Sequence, residues 1–226
     1  MTVQKIMDEA LSVVLNEKIT TLGAGRTDAG VHAMFFCAHF DSILPDLLTI
    51  KNLVFRLNQY LPADISVNSI KKVVLDANAR YSAVSRTYKY YISRIKDPFF
   101  DNSSWYLHGK IAVPEMNNVC ALLLLHSDFT SFSKLHSGAK SNICKIYSAA
   151  WEETDNRLVF KIKADRFLRN MVRAIVGTMV EIGFGKMDLK EFEEIILAKD
   201  RCKAGKSAPA KGLFLVDIEY PEEIFI

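Results

Sequence analysis

Gly23-Ala24-Gly25-Arg26-Thr27-Asp28-Ala29-Gly30-Val31-His32 sets three glycines around an arginine, a threonine and a single carboxylate. Glycine permits positive φ and close backbone approach, so the stretch reads as a tight loop of fixed shape. A short strand, Ile19–Leu22, leads into it and an apolar strand, Met34–Phe40, leads out. A rigid polar loop mounted on strands is where chemistry tends to be carried. Asp28 can be read there as a turn residue or cap, the commoner use of such an Asp, or as a catalytic carboxylate. A dinucleotide-binding Gly-x-Gly-x-x-Gly turn is excluded, because it needs glycine where Asp28 stands and a helix where a strand follows.

Outward from the loop, Val3, Ile6, Met7, Ala10, Leu11 and Val14 recur at helical spacing, predicting an amphipathic helix over 3–17 with Thr2 as N-cap. Pro45 opens a second helix carrying Leu47, Leu48, Ile50, Val54, Leu57 and Leu61, which Pro62 ends. Ile65–Val74 alternates apolar and polar residues and reads as a strand. The pattern breaks over 76–84, dividing an N-terminal subdomain, 1–80, from a C-terminal one, 81–226. In the strand Arg86–Arg94, alternation puts Arg86, Tyr88, Tyr90 and Ile92 on one face. A loop over Asp97–Ser104, a helix from Pro114 through Leu125 and a polar loop from His126 to Lys140 follow. Lys145–Trp151 and Leu158–Lys163 predict a hairpin around Asp155-Asn156. Phe167–Ile182 then reads as a strong helix, with Phe167, Met171, Ile175, Met179 and Ile182 as its apolar stripe. Arg166, Arg169 and Arg173 stack on another of its faces. Asp188 caps a helix through Lys199, a basic loop spans 201–212, and Leu213–Tyr220 closes the chain as a strand. Strands recurring in adjacent pairs predict an α+β fold of largely antiparallel sheets with helices on one face.

With 226 residues, half of them hydrophobic, the chain can bury real cores. A net charge of +3 is compatible with a nucleic-acid partner without requiring one. Cys37, Cys120, Cys144 and Cys202 are scattered, which argues against a disulfide scaffold or a structural zinc site. Gly205-Lys206-Ser207 fails as a phosphate loop, since Asp200 stands where that motif needs glycine. Asp8 and Glu9 interrupt any signal-peptide core, and no window reaches the roughly 18 apolar residues of a membrane span. A cytoplasmic protein without a membrane partner is expected.

Together, four stretches resemble the TruA family of tRNA pseudouridine synthases. They are Gly25 to His32; Arg80-Tyr-Ser-Ala through Arg86-Thr-Tyr-Lys-Tyr-Tyr-Ile; Phe167-Leu-Arg-Asn-Met-Val-Arg-Ala-Ile-Val-Gly; and Ala208-Pro-Ala-Lys-Gly-Leu-Phe-Leu. They occur in the family's order and span nearly the whole chain. The resemblance implies two RRM-like α/β subdomains forming an extended sheet around a central basic cleft. It implies a homodimer acting on tRNA, and no metal or organic cofactor. The implied reaction converts uridine to pseudouridine at positions 38, 39 and 40 of the anticodon stem-loop.

By position, Asp28 is then the nucleophile, a carboxylate able to form a transient covalent adduct. Tyr88 stacks on the extruded uracil, with a hydroxyl that could accept the C5 proton. Arg173 pairs with Asp28, keeping it charged and aimed. Arg26 contacts the RNA near the flipped nucleotide or braces the loop. Leu213 packs on the uracil or belongs to plain strand core. Arg166, Arg169, Lys203, Lys206 and Lys211 are candidate phosphate contacts, with a solvated basic face as the alternative. Family members usually carry a further strand and a Tyr-Asp-Gly-type turn ahead of the first helix, whereas this chain starts near Thr2-Val3-Gln4. The resemblance therefore implies an N-terminal sheet lacking its first strand. A catalytically impaired RNA-binding protein on the same scaffold is the competing expectation.

Overall fold

The computed structural model describes residues 1–45, 47–134, 138, 140–154 and 156–226. Its regular elements are, in chain order, α1 (Val3–Leu15), β1 (Leu22–Gly23), β2 (His32–Ala33), β3 (Ala38–His39), α2 (Leu53–Tyr60), β4 (Ser85–Ser93), β5 (Trp105–Tyr106), α3 (Val113–Leu123), β6 (Ile146–Thr154), β7 (Arg157–Ala164), α4 (Met171–Gly183), α5 (Leu189–Ala198) and β8 (Leu213–Glu219). The fold is α+β with mostly antiparallel strand pairing. The chain divides into two compact units. One comprises Met1–Gly25, Cys37–Ala83 and Tyr220–Ile226; the other comprises Arg26–Phe36 and Val84–Glu219.

In the first unit, α1 begins where Thr2 Oγ1 accepts from the Lys5 N–H at 3.2 Å, and it stops at Asn16, whose φ of 52° is left-handed. Ala10, Leu11 and Leu15 pack with Ile19, Leu53, Leu57 and Leu61 into the unit's core. Asp8 Oδ1 accepts from both the Thr21 N–H (2.8 Å) and the Thr21 hydroxyl (2.6 Å), fixing the segment that leads into β1. β1 pairs antiparallel with β3, Leu22 opposite His39.

Some expected elements differ. The helix expected from Pro45 is a single 3-10 turn at Leu47–Thr49, followed by α2. Asn52, left-handed at φ 58°, separates them. Leu61 is extended because the following Pro62 disfavours helical backbone. The expected strand Ile65–Val74 carries only an isolated bridge, Val73 to Phe225. Its backbone is satisfied otherwise: the Asn58 amide donates to Val67 O (2.8 Å) and accepts from Val67 N–H (2.7 Å). The strand expected over Met34–Phe40 is likewise reduced to β2 before it and β3 within it.

The second unit holds a six-stranded mixed sheet in the order β2-β8-β4-β7-β6, with β5 added in parallel to β4. β2 runs parallel to β8; the other pairs on the path are antiparallel. Leu158, Phe160, Ile162 and Ala164 of β7 are buried while Arg157, Val159, Lys161 and Lys163 between them are not, so one sheet face meets the core. That core joins them to Tyr90, Ile92, Met116, Leu123, Ile175, Met179 and Phe192, which places α3, α4 and α5 on this face. The expected hairpin is β6–β7, with Thr154 opposite Arg157. Asp155, half of its expected turn pair, lies outside the described residues, as do Leu135, His136, Ser137 and Ala139 of the expected 126–140 loop.

The helix expected from Phe167 begins instead at Met171. Asn170 precedes it at φ 66°, a left-handed conformation that breaks the helix and that Asn tolerates. Arg166 and Arg169 therefore lie ahead of α4, and the expected stack of three arginines along one helix face does not form. α4 itself is buried nearly all round. At Gly177 a Cβ would stand 1.8 Å from the carbonyl oxygen of Lys206, so only glycine lets the 205–208 backbone lie against the helix.

Candidate active site

Asp28 is placed by a turn and held by two guanidinium groups, all within the second unit. The Val31 N–H donates to Asp28 O at 3.1 Å, and Gly30, third residue of this turn, has φ +79°. That position favours glycine, as a type II turn requires. A Cβ on Gly30 would also meet that of Ala210 at 3.4 Å. Beyond the turn, β2 docks on β8 with His32 opposite Phe214. Their rings stack at 4.5 Å, and His32 Nε2 lies 3.0 Å from Asn102 O. The Met34 N–H donates to Leu215 O at 2.8 Å, so the C-terminal end of the Asp28 loop is tied to the sheet.

Arg173, in the first turn of α4, donates from Nη1 to Asp28 Oδ2 at 2.8 Å. Its Nε donates to Ala208 O at 2.8 Å, and the Ala208 N–H donates back to Arg173 O at 2.9 Å. The guanidinium is thus oriented by the 205–208 backbone, whose approach Gly177 permits. Arg169 lies on the other side of the carboxylate, its Nε 3.6 Å from Asp28 Oδ1. The Asp28 and Arg173 side chains are 22% and 19% exposed. A pair this enclosed is screened less than a surface one, yet it remains open to a ligand.

Tyr88 lies on β4, opposite Ile162 of β7 and Leu215 of β8, beside a register shift between Thr87 and Tyr88. Its ring meets that of Phe167 edge to face at 5.1 Å. Burial pushes its phenol up to about 12; the Arg86 guanidinium opposes this and the Asp28 carboxylate adds to it. At neutral pH the hydroxyl is therefore protonated and is a poor base. Tyr90 is fully buried, its hydroxyl donating to Pro209 O at 2.8 Å, and burial raises its pKa against the opposing charge of Arg173. Gly212 gives this ring room: a Cβ there would fall 2.7 Å from it. Leu213, opposite Tyr90 in the ladder, is 6% exposed and belongs to the core.

Asp28, Tyr88, Arg169 and Arg173 are thus brought together. Arg26 is exposed and makes no hydrogen bond or ion pair among the described residues. Arg166, Lys203 and Lys206 are exposed, whereas Lys211 is engaged by Asp101 at 3.0 Å. Sequence reasoning missed a further group, Arg201. It donates to Ala204 O and Gly205 O at 3.2 Å and to Ser207 Oγ at 2.9 Å; the Asn170 amide reaches the same hydroxyl at 2.6 Å. This network fixes the loop that in turn fixes Arg173. Its partners are mostly backbone carbonyls, which leave no trace in side-chain identity; the Arg-Asn step at 169–170 was the available signal for a helix break. Among the described residues no three or more His, Cys, Asp or Glu gather as a metal site, and no helix is long and apolar enough to cross a membrane.

Residues 120–221 match a family model described as tRNA pseudouridine synthase. Over 228 aligned residues the chain is 51% identical to tRNA pseudouridine synthase A of Parabacteroides distasonis, covering 100% of this chain and 89% of that protein. The protein of the same name from Bacteroides fragilis is 49% identical over 225 residues, covering 99% and 89%. That of Thermoanaerobacter sp. is 36% identical over 221 residues, covering 97% and 90%.

Proposed function

The chain belongs to the tRNA pseudouridine synthase A family, and from that premise we propose that it isomerises uridine at positions 38, 39 or 40 of the tRNA anticodon stem-loop with Asp28 as nucleophile. The activity class follows from the family: an isomerase acting on uridine in tRNA. The reaction breaks the C1′–N1 bond, turns the uracil and joins C5 to C1′. N1 gains a proton and C5 loses one, so composition and oxidation state are unchanged.

The observation that carries the assignment is the Asp28 carboxylate, open to a ligand and aimed by Arg173 at 2.8 Å. A carboxylate in this setting can attack C1′ or C6, or take the 2′ proton; each splits a difficult step into easier ones. Arg173 limits the reorganisation needed as charge moves off and onto Asp28. The ring of Tyr88 offers a face for the uracil once it leaves the stack. Its pKa of about 12 favours a hydroxyl that donates a hydrogen bond over one that receives the C5 proton. Leu213 is buried in the core opposite Tyr90. Exposed Arg26, Arg166, Lys203 and Lys206 supply positive charge for the RNA backbone. A homodimer in the cytoplasm belongs to the same proposal, supported by resemblance to the family.

Incubation with unmodified tRNA carrying uridine at 38–40, followed by pseudouridine mapping, tests the proposal. Product is expected at one or more of these positions with the wild-type chain and none with Asp28→Ala, while tRNA binding is retained. Product from Asp28→Ala would remove Asp28 as nucleophile. Sedimentation velocity of the purified chain tests the dimer.

A further inference from the structure

The two arginines hold Asp28 unequally. Arg173 is enclosed and doubly committed, to Asp28 Oδ2 and to Ala208 O. Arg169 approaches Oδ1 only to 3.6 Å and is 48% exposed. Among the described residues its guanidinium has no second partner. Its backbone, by contrast, is fixed. The Lys134 N–H donates to Arg169 O at 3.0 Å, and left-handed Asn170, next in the chain, is tied to Ser207. A firmly anchored residue thus carries a loosely held charge.

A half-exposed ion pair at this distance is weak. A phosphate offers the same guanidinium two parallel, charge-assisted hydrogen bonds. Oδ2 is already engaged by Arg173, which leaves Oδ1 as the freer oxygen for reaction, and Arg169 stands beside it. We propose that Arg169 is an exchange residue. It neutralises Asp28 Oδ1 in the free protein and passes to a backbone phosphate beside the target uridine when RNA binds, uncovering Oδ1. This rests on the assignment of Asp28 as nucleophile. It couples arrival of substrate to release of the reacting oxygen. Arg173 cannot serve in this way, because its second hydrogen bond pins it to the 205–208 backbone.

The test is a double-mutant cycle on tRNA affinity, measured with the full chain and an unmodified tRNA transcript across a range of salt concentrations. Arg169→Gln is expected to weaken binding several-fold and to make log K against log salt shallower by about 0.7 to 0.9, one phosphate's share. Arg169→Lys should keep the slope. Asp28→Asn should tighten binding several-fold, because Arg169 is no longer shared, and the gain should vanish in Asp28→Asn/Arg169→Gln. In turnover, Arg169→Gln should raise KM more than it lowers kcat. An unchanged salt slope in Arg169→Gln overturns the exchange. So does an Asp28→Asn gain that survives without Arg169, or a lowered kcat with KM intact, which would make Arg169 a positioning residue alone. Thermal melts matching wild type exclude misfolding, and Arg169→Met, which also removes the charge, keeps the cycle readable if Arg169→Gln is unstable. Pseudouridine mapping on the wild type separates the two proposals. Product with a flat cycle removes only the exchange, whereas absence of product removes the functional assignment.

Discussion

At neutral pH the phenol of Tyr88 carries its proton, since burial pushes its ionisation up to about 12 from an ordinary 10.0. A group whose folded pKa is raised contributes stability that is complete below the unfolded value and lost as pH rises through the folded one. Alkaline destabilisation between about pH 10 and 12 should therefore be smaller in Tyr88→Phe than in wild type, measured by urea melts along a pH series. Arg173 gives a second prediction at this scale. Lysine is a single point charge and cannot bond Asp28 and Ala208 together as the guanidinium does. Arg173→Lys should lower kcat about 100-fold, the cost of misplacing a reacting group by about 1 Å, with KM little changed, read in steady-state turnover. Asp28 and Arg173 could be paired on paper because both lie in motifs that resemble one family. Their 2.8 Å contact is present, but Ala208 O, which orients the guanidinium, is a backbone atom with no mark in the sequence. The proximity of Arg169 to Asp28 was equally hidden, because a helix through Phe167–Ile182 stacks it on Arg173 instead.

α4 is the element on which the site's geometry depends, and Gly177 is its sensitive point. Glycine to alanine inside a helix normally gains about 1 kcal/mol. Here the new Cβ meets a backbone carbonyl at 1.8 Å, which no side-chain rotation relieves. Overpacking costs about 1–3 kcal/mol, and a backbone obstacle belongs at the upper end. Gly177→Ala should therefore lower stability by about 1–2 kcal/mol net, by denaturant melts, and should reduce activity by moving the backbone that holds Arg173. A loop element gives a pH prediction. Burial pushes Asp128 up, but hydrogen bonds from Thr130 and the Lys199 ammonium outweigh it and hold its carboxyl below the ordinary 3.8. Its stabilisation is complete above that value and lost as pH falls through the folded pKa. The stability gap between wild type and Asp128→Asn should accordingly close on acidification below about pH 3.8, in urea melts at successive pH values. Elements with their own local signals were legible: α1 from Thr2 and its apolar spacing, β4 from alternation, the β6–β7 hairpin from its paired runs. Ile65–Val74 misled because alternation marks any extended segment with one side buried, and here the Asn58 amide takes the place of a neighbouring strand.

For the whole molecule, the two units differ in what holds them. The second buries α4 almost entirely together with alternate residues of β4 and β7; the first rests on a small helix-pair core around Leu11, Leu15 and Leu57. Stability within a chain follows buried apolar packing. Native-state hydrogen exchange should therefore find the slowest amides in β4, β7 and α4, and faster exchange in α1 and α2. Unit membership was the least legible property, because Arg26–Phe36 belongs to a unit otherwise built from residues far along the chain. That placement bears on synthesis. Asp28 leaves the ribosome early, yet its partner Arg173 lies 145 residues later, and β2 takes its place only against β8, the last strand. Every group proposed for the chemistry can exist in a nascent chain while the bed that orients them does not. The site is set only when the final strand arrives, so an incomplete chain carries the parts of the catalyst without its activity.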